Sequence, residues 1–278
     1  MTITVIGLGL IGGSMALDLK ERGYAKHIIG VDNDKEHCKK ALKIGFVDEI
    51  KTMNDALNSD LIILSIPVTE TAKLLPKILD LIGENTVVMD VGSTKQNICK
   101  AIKKHHKRKQ FIGTHPIAGT ENSGPTAAIK NLFDNKTCIL CVDVSALWVV
   151  ERVSKLYEKL NMKILFMKAE EHDMHVAYVS HISHISSFAL ATTVLEIEKN
   201  ASTIFDLAGS GFASTVRLAK SSPDMWAPIF EHNSKYISKA LGTYIKHLTK
   251  FKENIDKKNT KATHKSMIKS NAIRKILK

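Results

Sequence analysis

The chain has 278 residues, 44% apolar and 24% charged, a composition that suits one large or two modest globular domains. No run nears the roughly 20 apolar residues that a bilayer span needs, and the N-terminus opens directly into MTITVIGLG without a basic region or cleavage site, so a cytoplasmic protein without a membrane partner is expected. The formal charge of +12 is uneven: residues 250–278 hold ten Lys or Arg against Glu253 and Asp256, a net +8 that leaves +4 for the rest, so the excess reads as a solvated or frayed tail rather than a nucleic-acid-binding face.

Taken in chain order, short β-branched runs alternate with helical stretches. Strands are predicted over 2–6, 27–31, 61–66, 86–91, 111–113, 137–142 and 163–167. Helices are predicted over 10–22, 35–43, 69–81, 95–105 and 146–160. That alternation gives a parallel sheet covered by helices, a Rossmann-type doubly wound α/β domain over 1–168. From about Glu170 the strand signals stop and long helical periods follow, broken at Gly209–Gly211 and Ser222-Pro223, so an all-α domain is expected over 169–250, with a basic tail at 251–278. Cys138 and Cys141 stand as C-x-x-C inside the strand-like TCILCV without a second ligand pair, and with Cys38 and Cys99 they are too scattered for a disulfide framework; core thiols in a reducing compartment are expected.

Residues 5–14 read VIGLGLIGGS, placing Gly7, Gly9 and Gly12 as G-x-G-x-x-G between an apolar strand and a helix. The first glycine permits the tight turn, the second lets backbone approach a pyrophosphate, and the third lets helix and strand pack closely. Asp32 follows Gly12 by twenty residues at the end of HIIGVD, where a carboxylate accepts ribose hydroxyls and repels an additional phosphate; no arginine stands beside it in Asn33-Asp34-Lys35. The expected cofactor is NAD, held by Gly7, Gly9, Leu10, Ile11, Gly12, Asp32 and Pro67.

The polar segment 113–124, GTHPIAGTENSG, follows a strand and is expected as a loop at the carboxyl edge of the sheet. His115, stiffened by Pro116, is the candidate general base there, since a neutral imidazole can accept a hydroxyl proton as hydride leaves. Ser93 suits a helix N-cap as well as a place beside the base. Ser180 and His184 are four apart on a predicted helix and so share a face. Arg217 can grip a carboxylate through two parallel hydrogen bonds. The pairs His172/His175 and His181/His184 have helical metal-ligand spacing, but neither is completed by further ligands, and no metal is expected. Trp226 is expected to pack, with a possible contact to the site.

GLGLIGGS, VGSTK at 91–95, GTHPIAGTENSG, SHISH at 180–184 and GSGFASTVRLAKSSPDMW at 209–226 together resemble the bacterial prephenate and arogenate dehydrogenases, from Thr2 to about Lys250. The resemblance implies a homodimer with a Rossmann domain and a helical dimerisation domain, the site lying between them. It implies NAD-dependent oxidative decarboxylation of prephenate to 4-hydroxyphenylpyruvate in tyrosine biosynthesis. His115 and Ser93 would act at the ring hydroxyl, Ser180 and His184 at the pyruvyl side chain, Arg217 at the ring carboxylate, and Glu121 would help close the site. Ser183 and Ser210 depart from the family's usual proline and glycine. Arogenate is the alternative substrate; a non-catalytic NAD-binding regulator is the alternative class, against which His115 and Arg217 argue together.

Overall fold

The computed structural model describes residues 1–143, 145–198 and 207–276, so part of the expected helical run (199–206) and the last two residues of the basic tail lie outside the described residues. The chain divides into two compact units, Met1–Asn233 and Ser234–Lys278.

The first unit opens with β1 (Thr2–Ile6), α1 (Leu10–Glu21), β2 (His27–Val31), α2 (Lys35–Ile44), β3 (Glu49–Ile50), α3 (Met53–Ala56), β4 (Leu61–Leu64), α4 (Val68–Leu81), β5 (Val87–Asp90) and α5 (Gln96–Ala101). It continues with β6 (Phe111–Pro116), β7 (Thr137–Cys141), α6 (Leu147–Lys159) and β8 (Lys163–Met167). The strands form one sheet of eight in the order β3-β2-β1-β4-β5-β6-β7-β8. Strands β1 to β6 run parallel, as expected; β7 pairs antiparallel to β6, and β8 follows β7.

Alternate residues of the central strands feed two cores. Ile3, Val5, Leu61, Ile63, Val87 and Met89 pack with Met15 and Leu19 of α1 and Tyr157 of α6. Ile6, Ile62, Leu64 and Val88 pack on the opposite face with Leu75, Ile78 and Leu79 of α4. Covering both faces is what makes these strands read as continuous apolar runs, and each buried Leu, Ile or Val contributes roughly 1.5–3 kcal/mol.

The structure differs from the sequence reading in three places. The two-residue β3 and four-residue α3 are too short to show periodicity. Helix α5 ends at Ala101, well before residue 105. Most consequentially, the loop expected from Gly113 begins later, because Gly113, Thr114, His115 and Pro116 pair with Cys141, Leu140, Ile139 and Cys138. His115 therefore sits on a strand end, held by sheet hydrogen bonding, rather than in a loop.

After β8 the first unit is helical: α7 (Ala169–Val176), a π-helical turn over Ala177–His181, α8 (Ile182–Glu198), α9 (Ser210–Val216), a 3-10 turn over Arg217–Lys220 and α10 (Pro223–His232). Trp226 and Ile229 of α10 join the core beneath α4, so this helix is fixed against the sheet domain. The second unit comprises α11 (Ser234–Asp256), α12 (Thr260–Ser270) and a 3-10 turn over Asn271–Lys275. Helix α11 runs through residue 250, so the basic segment begins as helix rather than frayed chain, with Lys250–Glu253 and Lys252–Asp256 ion pairs along its last turns. Among the described residues no helix is long and apolar enough to cross a membrane.

Candidate active site

The glycine loop has the backbone its sequence requires. Gly7 adopts φ +96°, and a Cβ there would lie 2.2 Å from the Ser65 carbonyl oxygen. A Cβ on Gly12 would lie 2.2 Å from the Gly7 carbonyl, whereas one on Gly9 would meet nothing within 4 Å, so the space above Gly9 is open. Gly9 is the N-cap of α1, and Gly13 is the helix residue whose N–H returns to its carbonyl, which leaves the first-turn N–H groups of Leu10, Ile11 and Gly12 facing that space. At the end of β2 the Asp32 carboxylate accepts from Leu8 N at 2.8 Å and from Asp34 N at 2.9 Å, which fixes its orientation beside the loop. His37 approaches the same carboxylate at 3.6 Å. Pro67, exposed, caps α4 in the turn after β4. An open cradle of free N–H groups flanked by a fixed carboxylate fits a dinucleotide, at the switch point where the strand order reverses between β1 and β4.

Three strand positions further along the same carboxyl edge, about 14 Å at roughly 4.8 Å per strand, β6 presents His115. Strand alternation sends its neighbour Thr114 to the opposite face, where its hydroxyl bonds the Asp90 carbonyl at 2.6 Å and the Tyr157 hydroxyl at 2.5 Å. His115 is half-buried, and its Nδ1 lies 2.8 Å from His172 Nε2. His172, fully buried on α7, has its Nδ1 2.8 Å from Asp173 Oδ1. Burial, then His172, Lys95 and His181, hold His115 well below the ordinary histidine range, so it is a neutral base at physiological pH.

The turn after β5 carries Ser93, half-buried, followed by fully buried Thr94 and Lys95. Ser93 is not the N-cap of α5. That position is Lys95, and Asp173 supplies the capping carboxylate by accepting from Lys95 N at 2.8 Å and Gln96 N at 2.9 Å. Lys95 Nζ pairs with Asp90 at the end of β5, both side chains wholly buried.

Ser180 lies in the π-helical turn and His184 just after it in α8. They are joined through backbone, the His184 Nδ1–H donating to the Ser180 carbonyl at 3.1 Å. The His184 ring stacks on Trp226 with centroids 3.5 Å apart, and His181 meets the same indole edge-on at 5.8 Å. Arg217, in the 3-10 turn after α9, reaches Glu121 Oε2 at 3.5 Å; both are exposed. The expected residues thus fall into three groups: His115 with His172, Ser180 and His184 with Trp226, and Arg217 with Glu121. Electrostatics links them, because His181 is felt at His115, His184 at His181, and Arg217 at His184.

The sequence did not single out Lys95, Asp90 or Asp173, and it offered His172 and His181 only as members of incomplete metal pairs. The structure places His172 against His115 and Asp173, while His175 is exposed. Among the described residues, the group with metal-ligand spacing is Asp80, His105 and His106, away from these positions in the chain. Cys38, Cys99, Cys138 and Cys141 are free thiols; burial pushes Cys138 up to about 12 and so keeps it protonated.

The prephenate dehydrogenase nucleotide-binding domain model matches residues 15–166, and the prephenate dehydrogenase dimerization domain model matches residues 168–269. The chain is 33% identical over 269 residues to a prephenate dehydrogenase of Bacillus subtilis, covering 93% of this chain and 71% of that one. It is similar to the crystal structure of prephenate dehydrogenase from A. aeolicus in complex with hydroxyphenyl propionate and NAD+, with TM-score 0.91, 30% identity and 100% and 98% of the two chains covered. It is also similar to a Synechocystis arogenate dehydrogenase, with TM-score 0.75, 29% identity and 99% of each chain covered. From the two domain matches and these likenesses, the chain belongs to the prephenate dehydrogenase family.

Proposed function

We propose that this chain oxidises and decarboxylates prephenate to 4-hydroxyphenylpyruvate, and that it works as a cytoplasmic homodimer. The observation that carries the reading is His115, a neutral imidazole at the carboxyl end of β6, on the same sheet edge as the glycine loop and Asp32. NAD, when bound, supplies the acceptor for the hydride that leaves the ring carbon bearing the hydroxyl. His115 takes the hydroxyl proton, so the oxygen's electrons can form the carbonyl. Loss of carbon dioxide then returns an electron pair to the ring, which becomes aromatic, and His115 can give its proton back to the phenolic oxygen. Ser93 orients that oxygen. Arg217 holds the ring carboxylate, which must share or displace Glu121. Ser180 and His184, the latter braced by Trp226, receive the side chain. Holding the hydroxyl and the base together is worth on the order of 7–11 kcal/mol over free encounter.

Residues 1–168 form the cofactor domain, 169–250 the substrate and dimerisation domain, and 251–278 a basic extension. In the first unit, Val179, Leu195 and Ile197 are exposed apolar residues of the kind an interface covers, which supports pairing of two copies. Following NADH absorbance with purified protein, NAD and either prephenate or arogenate tests the reading. Faster turnover of prephenate is expected; turnover of arogenate alone would overturn the substrate, and turnover of neither would overturn the activity.

A further inference from the structure

We propose that His172, backed by Asp173, is a positioning residue that fixes His115 in the tautomer with a proton on Nδ1 and a bare Nε2. The inference rests on the proposed role of His115 and extends it to groups outside the reacting pair. It follows from counting donors along one chain of contacts. Both Asp173 oxygens accept backbone N–H bonds, Oδ1 from Lys95 and Oδ2 from Gln96. Backbone N–H groups only donate, so Asp173 faces its neighbours as an acceptor. His172 Nδ1, 2.8 Å from Asp173 Oδ1, must then carry the proton that joins them. A neutral His172 has one N–H, so its Nε2 is an acceptor. His115 Nδ1, 2.8 Å from that nitrogen, must donate, which leaves His115 Nε2 bare. Asn233 steadies the assembly by donating through Nδ2 to the Asp173 carbonyl at 2.7 Å and to His181 Nδ1 at 3.1 Å.

The base thereby keeps its lone pair on Nε2, the ring nitrogen without a hydrogen-bond partner among the described residues. When Nε2 takes the substrate proton, the O–H bond breaks and an N–H bond forms. The existing Nδ1–H bond to His172 becomes charge-assisted and so strengthens as the imidazolium appears. The reverse tautomer would put a proton on Nε2 and make His115 unable to accept one. In a comparable catalytic triad, holding the base in the wrong tautomer costs roughly 10,000-fold.

Two measurements test this. In ¹⁵N-histidine-labelled wild-type protein, with the His115 signals identified by their loss in His115→Asn, neutral His115 should show a protonated Nδ1 and an unprotonated Nε2. A proton on Nε2 would overturn the proposal. In steady-state assays with prephenate and NAD, His172→Phe fills the space without an acceptor, whereas His172→Gln can donate to Asp173 and accept from His115. The turnover number should fall roughly 100-fold in His172→Phe and less than about tenfold in His172→Gln, with KM within about threefold in both. Equal losses in the two variants, or a folded, NAD-binding His172→Phe with near-normal turnover, would also overturn it. If His172→Phe fails to fold, the wild-type tautomer decides. Absence of prephenate turnover in the wild type would instead remove the proposed function and leave the tautomer assignment to the labelling result.

Discussion

Arg217 reaches across 96 positions of sequence to place Nη1 3.5 Å from Glu121 Oε2, joining the turn after α9 to the loop after β6. Both side chains are exposed, so the pair itself contributes little to stability. Its consequence is for ligand binding, because a carboxylate that docks on Arg217 takes over a cation already held in place. Arg217→Ala should raise KM for prephenate with a smaller effect on the turnover number. Hydrogen bonds to a charged partner are worth roughly 1.5–3 kcal/mol, so kcat/KM should fall roughly 10- to 150-fold. Steady-state kinetics at fixed, saturating NAD measures this.

Asp32 is oriented by Leu8 N and Asp34 N, so its carboxylate is fixed beside the glycine loop rather than free as a mobile surface acid. Asp32→Ser should weaken NAD and relax the exclusion of NADP. Comparing kcat/KM for the two cofactors checks it; a wild type that already prefers NADP at low concentration would contradict the role.

Lys95 and Asp90 form an ion pair with no exposed atoms. Removing one partner strands a buried charge, so Lys95→Met should destabilise the fold by roughly 3–5 kcal/mol, while Lys95→Met combined with Asp90→Asn should recover part of the loss. Urea unfolding of the three proteins without ligand measures both effects.

His181 is buried against Trp226, and burial lowers its pKa from 6.5 to about 4. Its folded value lies below its unfolded value, so between these limits the unfolded chain binds more protons. The stability present above about 6.5 is therefore lost as pH falls towards 4, with His181 contributing on the order of 3 kcal/mol across the window. Urea midpoints measured from pH 7 to pH 4 should fall more steeply in the wild type than in His181→Gln.

The sheet domain was legible because its information is local. Buried parallel strands announce themselves as apolar runs, and the spacing from Gly12 to Asp32 follows from one β-α-β unit. The direction of β7 was not legible, since TCILCV reads as a strand either way, and only its pairing with β6 turns the expected loop at His115 into strand. The partners of the base were hidden for a related reason. His172 lies 57 residues from His115, and Asp173 lies 78 from the Lys95 N–H it caps, so neither distance appears in a helical period. The spacing that was visible, His172 to His175, suited only an incomplete metal pair, and its second member is exposed. Likewise, the spacing of Ser180 and His184 does not show that Ser180 lies in a π-helical turn, or that its carbonyl meets the His184 ring.

His115→Asn tests the role of the base most directly, because asparagine keeps polarity and much of the shape but cannot take the proton. With prephenate and saturating NAD, followed as NADH absorbance, the turnover number should fall roughly 100- to 10,000-fold. KM should change little and NAD binding not at all, since His115 lies outside the glycine loop. Near-normal turnover of prephenate by folded His115→Asn would contradict proton abstraction by His115, whatever the cofactor affinity proved to be.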